Sequence, residues 1–153
     1  MSSNKSFLTE TSERYARALF EVASESAELD KIENSLIEFL SIYDTTPELV
    51  SFIKNPTHSN KSQIEAISII SKKLNFSKNL KNFLSLLVEK RRIFFVEKIA
   101  NFFLKLCSQK RGEVKASLIS SKNLSKEELH EISSQFSQSL GSKIKFDYSV
   151  DEN

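Results

Sequence analysis

The sequence predicts a mainly α protein: a six-helix bundle followed by a small α/β unit of strand, helix and strand. Three observations carry this. The 153-residue chain has only two glycines, Gly112 and Gly141. Helices disfavour glycine and tight hairpins need it, so a long stretch without any reads most simply as helical. Apolar residues recur at helical spacing as far as about Lys110. After Gly112 the period shortens to two, which is that of a strand. The boundary places a helical bundle at 1–111 and the α/β unit at 112–153.

The first helix is expected from about Thr11 to Leu29, with Thr11 or Ser12 as N-cap. The second covers about Lys31 to Tyr43, with Ile32, Leu36, Phe39, Leu40 and Tyr43 on one side. The third is short: Thr46 caps it, Pro47 takes the first-turn position, and Asn55-Pro56 stops it. The fourth spans about Asn60 to Leu74, striped by Ile64, Ile67, Ile70 and Leu74. The fifth starts after Ser77 and runs to about Arg91. The sixth carries Val96, Ile99, Phe103 and Leu106 and ends by Gly112, where Lys110 and Arg111 suit the negative end of its dipole. A strand then alternates Val114, Ala116 and Leu118 with Lys115, Ser117 and Ile119. Ser125 caps a seventh helix, with Glu127 and Glu128 in its first turn and Leu129, Ile132, Phe136 and Leu140 on one face. Gly141 ends it. Ile144, Phe146, Tyr148 and Val150 alternate in the last strand.

Composition narrows the function. The chain is 39% apolar and 27% charged, enough for a core and a solvated surface. A net charge of +2, built on 17 Lys and 5 Arg, argues against nucleic acid, because arginine is the residue that reads phosphates and bases bidentately. The single cysteine, Cys107, lies in an apolar run and is expected to be a buried thiol. No segment approaches the length of a membrane span. Catalytic chemistry is sparse. His58 and His130 fall in different units and read as solvated surface. One cysteine and two scattered histidines make no metal site. A glycine-rich phosphate loop has no place before Gly112. Adjacent Glu127 and Glu128 do not face each other on a helix. No catalytic, metal or cofactor site is expected.

What stands out is surplus apolar surface. In the first helix Ala16, Phe20, Ala23 and Ala27 form one stripe. Tyr15, Leu19, Val22 and Leu29 form a second, with Ala18 at its edge. Together they cover roughly 200° at about 100° per residue, where a surface helix shows a stripe somewhat over 100° wide. The fifth helix repeats the pattern: Leu80, Phe83, Leu84 and Leu87 form a face that Leu86 and Val88 widen. Two such helices form a groove for a partner's amphipathic helix, or are central in a small bundle. The first alternative points to a binding module rather than an enzyme.

RYARALFEVA at 14–23, the Asn55-Pro56 break, LLVEKRRI at 86–93 and GEVKASLISS at 112–121 together resemble the delta-subunit family of bacterial F-type ATP synthases, the oligomycin-sensitivity-conferring protein family. The resemblance implies a non-catalytic stator subunit of the peripheral stalk. Such a subunit links the catalytic F1 head to the stalk, so that proton-driven rotation is coupled to ATP synthesis. It implies a groove between the first and fifth helices for the N-terminal helix of an alpha subunit. The positions carried over are Tyr15, Ala18, Leu19 and Val22 on the first helix, and Phe83, Leu86, Leu87 and Lys90 on the fifth. It also implies contact of the C-terminal part with the stalk b subunits, no cofactor, no nucleic acid, no membrane insertion, and a peripheral location on the cytoplasmic face of the bacterial inner membrane. In the family the segment matching VDEN continues into a Gly-Gly turn and further strands, so the α/β unit is expected to be incomplete here. The alternative is an all-helical RNA-binding transcription antitermination factor of the NusB type, which needs a basic face and salt-steep binding.

Overall fold

The structure, a computed structural model, describes residues 2–141 and 144–150. The side chains at 2–5, 114–117 and 145–147 lie outside that description, so the alternating positions Val114, Ala116 and Phe146 fall outside it. The elements in order are α1 (Ser2–Glu25), α2 (Leu29–Thr45), α3 (Pro47–Lys54), α4 (Asn60–Lys73) and α5 (Lys78–Glu89), then a 3₁₀ turn (Ile93–Phe95), α6 (Val96–Lys110), β1 (Val114–Ser120), α7 (Lys126–Leu140) and β2 (Ile144–Val150). Contacts divide the chain into two units, Met1–Cys107 and Ser108–Asn153.

The first helix departs most from expectation. It begins at Ser2, so Thr11 and Ser12 lie inside it and cap nothing. Both are buried, and the Ser12 hydroxyl donates to the Leu8 carbonyl one turn back at 2.8 Å. Nothing upstream breaks the helix: residues 2–10 contain neither glycine nor proline. Leu8 packs against the core from this added stretch. At its other end α1 stops at Glu25, and Ala27 sits in the left-handed region at φ 56°. The Glu28 N–H donates to the Ala23 carbonyl at 2.9 Å and the Ala27 N–H to that of Ser24 at 3.3 Å. That is a Schellman stop. Ala27 is therefore an exposed turn residue rather than part of a stripe, and Leu29 opens α2.

The same device ends α4 and α5, again without glycine. Asn75 has φ 52° and Arg91 φ 56°. Phe76 donates to Ser71 at 2.9 Å and Arg92 to Leu87 at 2.7 Å. Gly112, at φ 69°, ends α6 in the same way, with Glu113 donating to Ser108 at 3.0 Å. The starts are more conventional. Ser59 and Ser77 accept from the backbone N–H three residues on, at 3.1 and 3.3 Å. Thr46 makes no side-chain cap; its carbonyl begins α3 while Pro47 sets the first turn.

The core of the first unit draws on Ala16, Leu19 and Ala23 from α1, Ile32, Leu36 and Phe39 from α2, Leu80, Leu84 and Leu87 from α5, and Val96, Ile99 and Phe103 from α6, with Ile67 from α4. Aromatic edges join elements, with Phe20 against Phe103 at 6.1 Å and Phe39 against Phe76 at 6.4 Å. Of the four clustered phenylalanines on and before α6, Phe95 and Phe103 are in the core, Phe102 packs against it, and Phe94 is exposed. Cys107 is buried and forms no disulfide.

In the second unit β1 and β2 pair in parallel, Val114 opposite Ile144 through Ser120 opposite Val150. α7 makes the crossover that a parallel pair requires. Ser125 and Glu128 close a capping box at its start and Gly141 takes the left-handed position at its end. The Tyr148 hydroxyl accepts from the Leu124 N–H at 2.8 Å and donates to the Lys122 carbonyl at 3.0 Å, tying the β1–α7 connection to β2. The expected apolar face of α7 is only half covered: Leu129 and Ile132 are half-buried, whereas Phe136 and Leu140 are exposed.

Candidate functional site: the outer faces of α1 and α5

α1 and α5 pack against each other, and the contact is marked by the rings of Tyr15 and Phe83, edge to face at 6.4 Å. Each helix carries an inner and an outer stripe side by side. On α1 the inner stripe is Ala16, Leu19 and Ala23, all at most 1% exposed. The outer stripe is Tyr15, Ala18 and Val22, with Tyr15 half-buried, Ala18 exposed and Val22 44% exposed. On α5 the inner stripe is Leu80, Leu84 and Leu87. The outer stripe is Phe83, Leu86 and Lys90, with Phe83 half-buried, Leu86 41% exposed and Lys90 exposed. Both outer stripes have the i, i+3, i+7 spacing of one helix face.

Six of the eight residues expected at a groove therefore lie on these outer stripes. Leu19 and Leu87 do not. They are 1% and 0% exposed and belong to the core, where they support the outer residues from behind. Leu19 sits one turn from Tyr15, and Leu87 one turn from Phe83, each just far enough round its helix to turn inward.

A hydrogen bond that sequence spacing does not reveal helps position the pair. The Asn79 side-chain amide at the start of α5 donates to a Glu28 carboxylate oxygen in the α1–α2 turn at 2.8 Å, across 51 residues. Lys90 stands at the C-terminal end of α5, where the helix dipole favours a cation.

The remaining candidates stay outside this face. His58 is half-buried and stacked on Phe52 with centroids 4.3 Å apart, rather than freely solvated. His130 is exposed. Among the described residues no group of three His, Cys, Asp or Glu side chains could hold a metal ion, and no helix is long and apolar enough to cross a membrane. The arrangement suits recognition of an apolar helix face, with charges on the rim.

Comparison with known proteins gives one consistent result. The profile of the family described as ATP synthase delta (OSCP) subunit matches residues 11–153. The chain is 38% identical over 151 residues to the ATP synthase subunit delta of Pelagibacter ubique, covering 99% of this chain and 82% of that protein. It is 30% identical over 151 residues to the ATP synthase subunit delta of Rhodospirillum rubrum, covering 99% and 81%. In fold it resembles a chain of the Toxoplasma gondii mitochondrial ATP synthase hexamer solved by cryo-electron microscopy, with a TM-score of 0.76 at 20% identity, covering 93% of this chain and 78% of that one.

Proposed function

The chain belongs to the ATP synthase delta (OSCP) subunit family, and on that premise we propose that it is a non-catalytic stator subunit of an F-type proton-translocating ATP synthase. A rotary machine does work only if its head is held still against the rotor. A subunit that grips both the head and the peripheral stalk supplies that restraint. In this reading the first unit holds the N-terminal helix of an alpha subunit and the second unit meets the stalk b subunits. The protein sits peripherally on the cytoplasmic face of the bacterial inner membrane. Family membership along almost the whole chain displaces the RNA-binding alternative.

The observation that supports the grip on the head is the pair of outer stripes on α1 and α5, apolar and left open beside a complete core. Burying them under a partner helix contributes about 1.5–3 kcal/mol for each large side chain fully covered. Rim charges such as Lys90 would steer the encounter more than they hold the complex.

The test is calorimetric titration of the full chain with a peptide of the first roughly twenty residues of the cognate alpha subunit, about 30 Å of helix. One-to-one binding with a negative heat-capacity change and little salt dependence is expected. Ala18 is exposed, so Ala18→Arg should keep the helicity of the bundle and lose peptide binding. Unchanged affinity in a folded Ala18→Arg variant would sink the groove assignment.

A further inference from the structure

A cavity of about 410 Å³ opens in the first unit, lined by Lys31 of α2, Ser71 and Lys72 of α4, Asn75 and Phe76 of the α4–α5 connection, and Lys81 of α5. Its charged lining is entirely basic. Among the described residues none of the three lysine ammonium groups has an ion-pair or hydrogen-bond partner. The neutral lining is hydrogen-bonding in part: Ser71 is 4% exposed and its hydroxyl has no partner.

Helix electrostatics accounts for only one of these lysines. Lys72 lies in the last turn of α4, where a cation offsets the negative end of the dipole. Lys31 is the third residue of α2 and Lys81 the fourth of α5. Both therefore stand at N-terminal turns, where the dipole already presents positive charge and a cation is unfavourable. The first turn of α5 contains no acidic residue to compensate. Glu28, which accepts from Asn79, and Asp30 in the first turn of α2 carry negative charge at these helix starts, but neither lines the cavity. Three ammonium groups thus line one concavity whose lining contains no carboxylate. Cations gathered around one concavity raise the local positive potential, which an anion of two or more charges offsets.

We propose that this cavity binds a phosphate-bearing small molecule, its oxygens held by Lys31, Lys72 and Lys81. A tetrahedral dianion offers enough oxygens for three ammonium groups, where a single carboxylate offers two, and lysine serves phosphate as a point charge. The half-buried Phe76 ring, edge to face with Phe39 at 6.4 Å, supplies one apolar wall. The site is independent of the outer face of α5, since Lys81 lies roughly 160° around the helix from Phe83.

The experiment is calorimetric titration of the full chain with inorganic phosphate and with pyrophosphate at low and high salt. One-site binding that weakens with salt is expected. Each of Lys31→Gln, Lys72→Gln and Lys81→Gln should weaken it roughly tenfold. The exposed Lys98→Gln, remote in sequence from the cavity residues, should leave it unchanged. Circular dichroism establishes that each variant is folded. Co-sedimentation with phosphatidylglycerol vesicles separates the two sources of the group: retention lost in the three variants assigns a lipid headgroup, and no retention alongside phosphate binding assigns a soluble ligand. The proposal is overturned if the folded chain binds neither phosphate nor pyrophosphate at millimolar concentration. It is equally overturned if the triple Gln variant binds them as well as the parent.

Discussion

Ala27 adopts a conformation ill suited to its type. At φ 56° an L-residue with a Cβ is disfavoured by roughly 1–2 kcal/mol, and Ala27 is exposed, so no packing compensates. Ala27→Gly should raise stability by about 1 kcal/mol in urea denaturation; a loss of stability would mean that the Schellman stop is set by something other than backbone strain. Tyr43 is the other residue in an awkward place. It is 2% exposed, and its hydroxyl has no hydrogen-bond partner among the described residues. Burial pushes its pKa above the usual tyrosine value, and the carboxylates of Glu97 and Asp44 push it further. The folded state therefore holds the phenolic proton more tightly than the unfolded chain does. The associated stability is intact below about pH 10 and is lost as pH rises through the raised value. Tyr43→Phe should leave neutral-pH stability unchanged or slightly higher, because an orphaned hydroxyl is removed with its ring retained. It should also flatten the alkaline limb of the melting-temperature profile. An alkaline limb identical to the parent's would show that Tyr43 does not control it.

Helix starts marked by a capping serine are legible in the sequence. Ser59, Ser77 and Ser125 cap where a serine precedes an apolar period, because the side-chain oxygen meets an orphan N–H locally and needs nothing distant. The ends of α4 and α5 lie close to where periodicity puts them, but the left-handed residues Ala27, Asn75 and Arg91 that make the stops are not legible, since such a residue is usually betrayed by glycine and here is not. The start of α1 is not legible, because the stretch before Thr11 has helix-compatible residues and no breaker, and its burial depends on the core beneath it. α7 gives the test at this scale. The Ser125 backbone N–H donates to Glu128 at 2.7 Å and the Glu128 N–H to the Ser125 hydroxyl at 3.2 Å. The backbone bond and then the Ser125 hydroxyl hold the Glu128 pKa below the usual value. The stability this confers is present above the ordinary carboxylate pKa and fades as pH falls through the lowered one. Ser125→Ala should cost the helix about 1 kcal/mol and advance the loss of helical circular dichroism on acidification to higher pH. An unaltered acid transition would remove the capping box from the account.

Across the whole molecule the two units differ in what holds them. The first has a continuous core drawn from its long helices. In the second, α7 contributes no fully buried residue and the described sheet has two strands, an assembly expected to be only marginally stable. Hydrogen exchange should therefore reach the amides of α7 well before those of α2 and of the buried part of α6. Equal protection in both units would contradict the division. Much of this was available from residue order: the class, the change of period at Gly112, each helix between Pro47 and Gly141, and the surplus apolar arc on α1 and α5 all follow from local spacing, because backbone hydrogen bonding and side-chain periodicity are short-range. Tertiary packing decided which stripe of that arc turns inward. Leu19 and Leu87 go to the core and Tyr15, Ala18, Val22 and Leu86 stay outside, since a 200° arc has no preferred half until neighbouring helices cover one. The same packing gathered Lys31, Lys72 and Lys81 around one cavity and joined Glu28 to Asn79, pairings between residues far apart in the chain that no periodicity encodes.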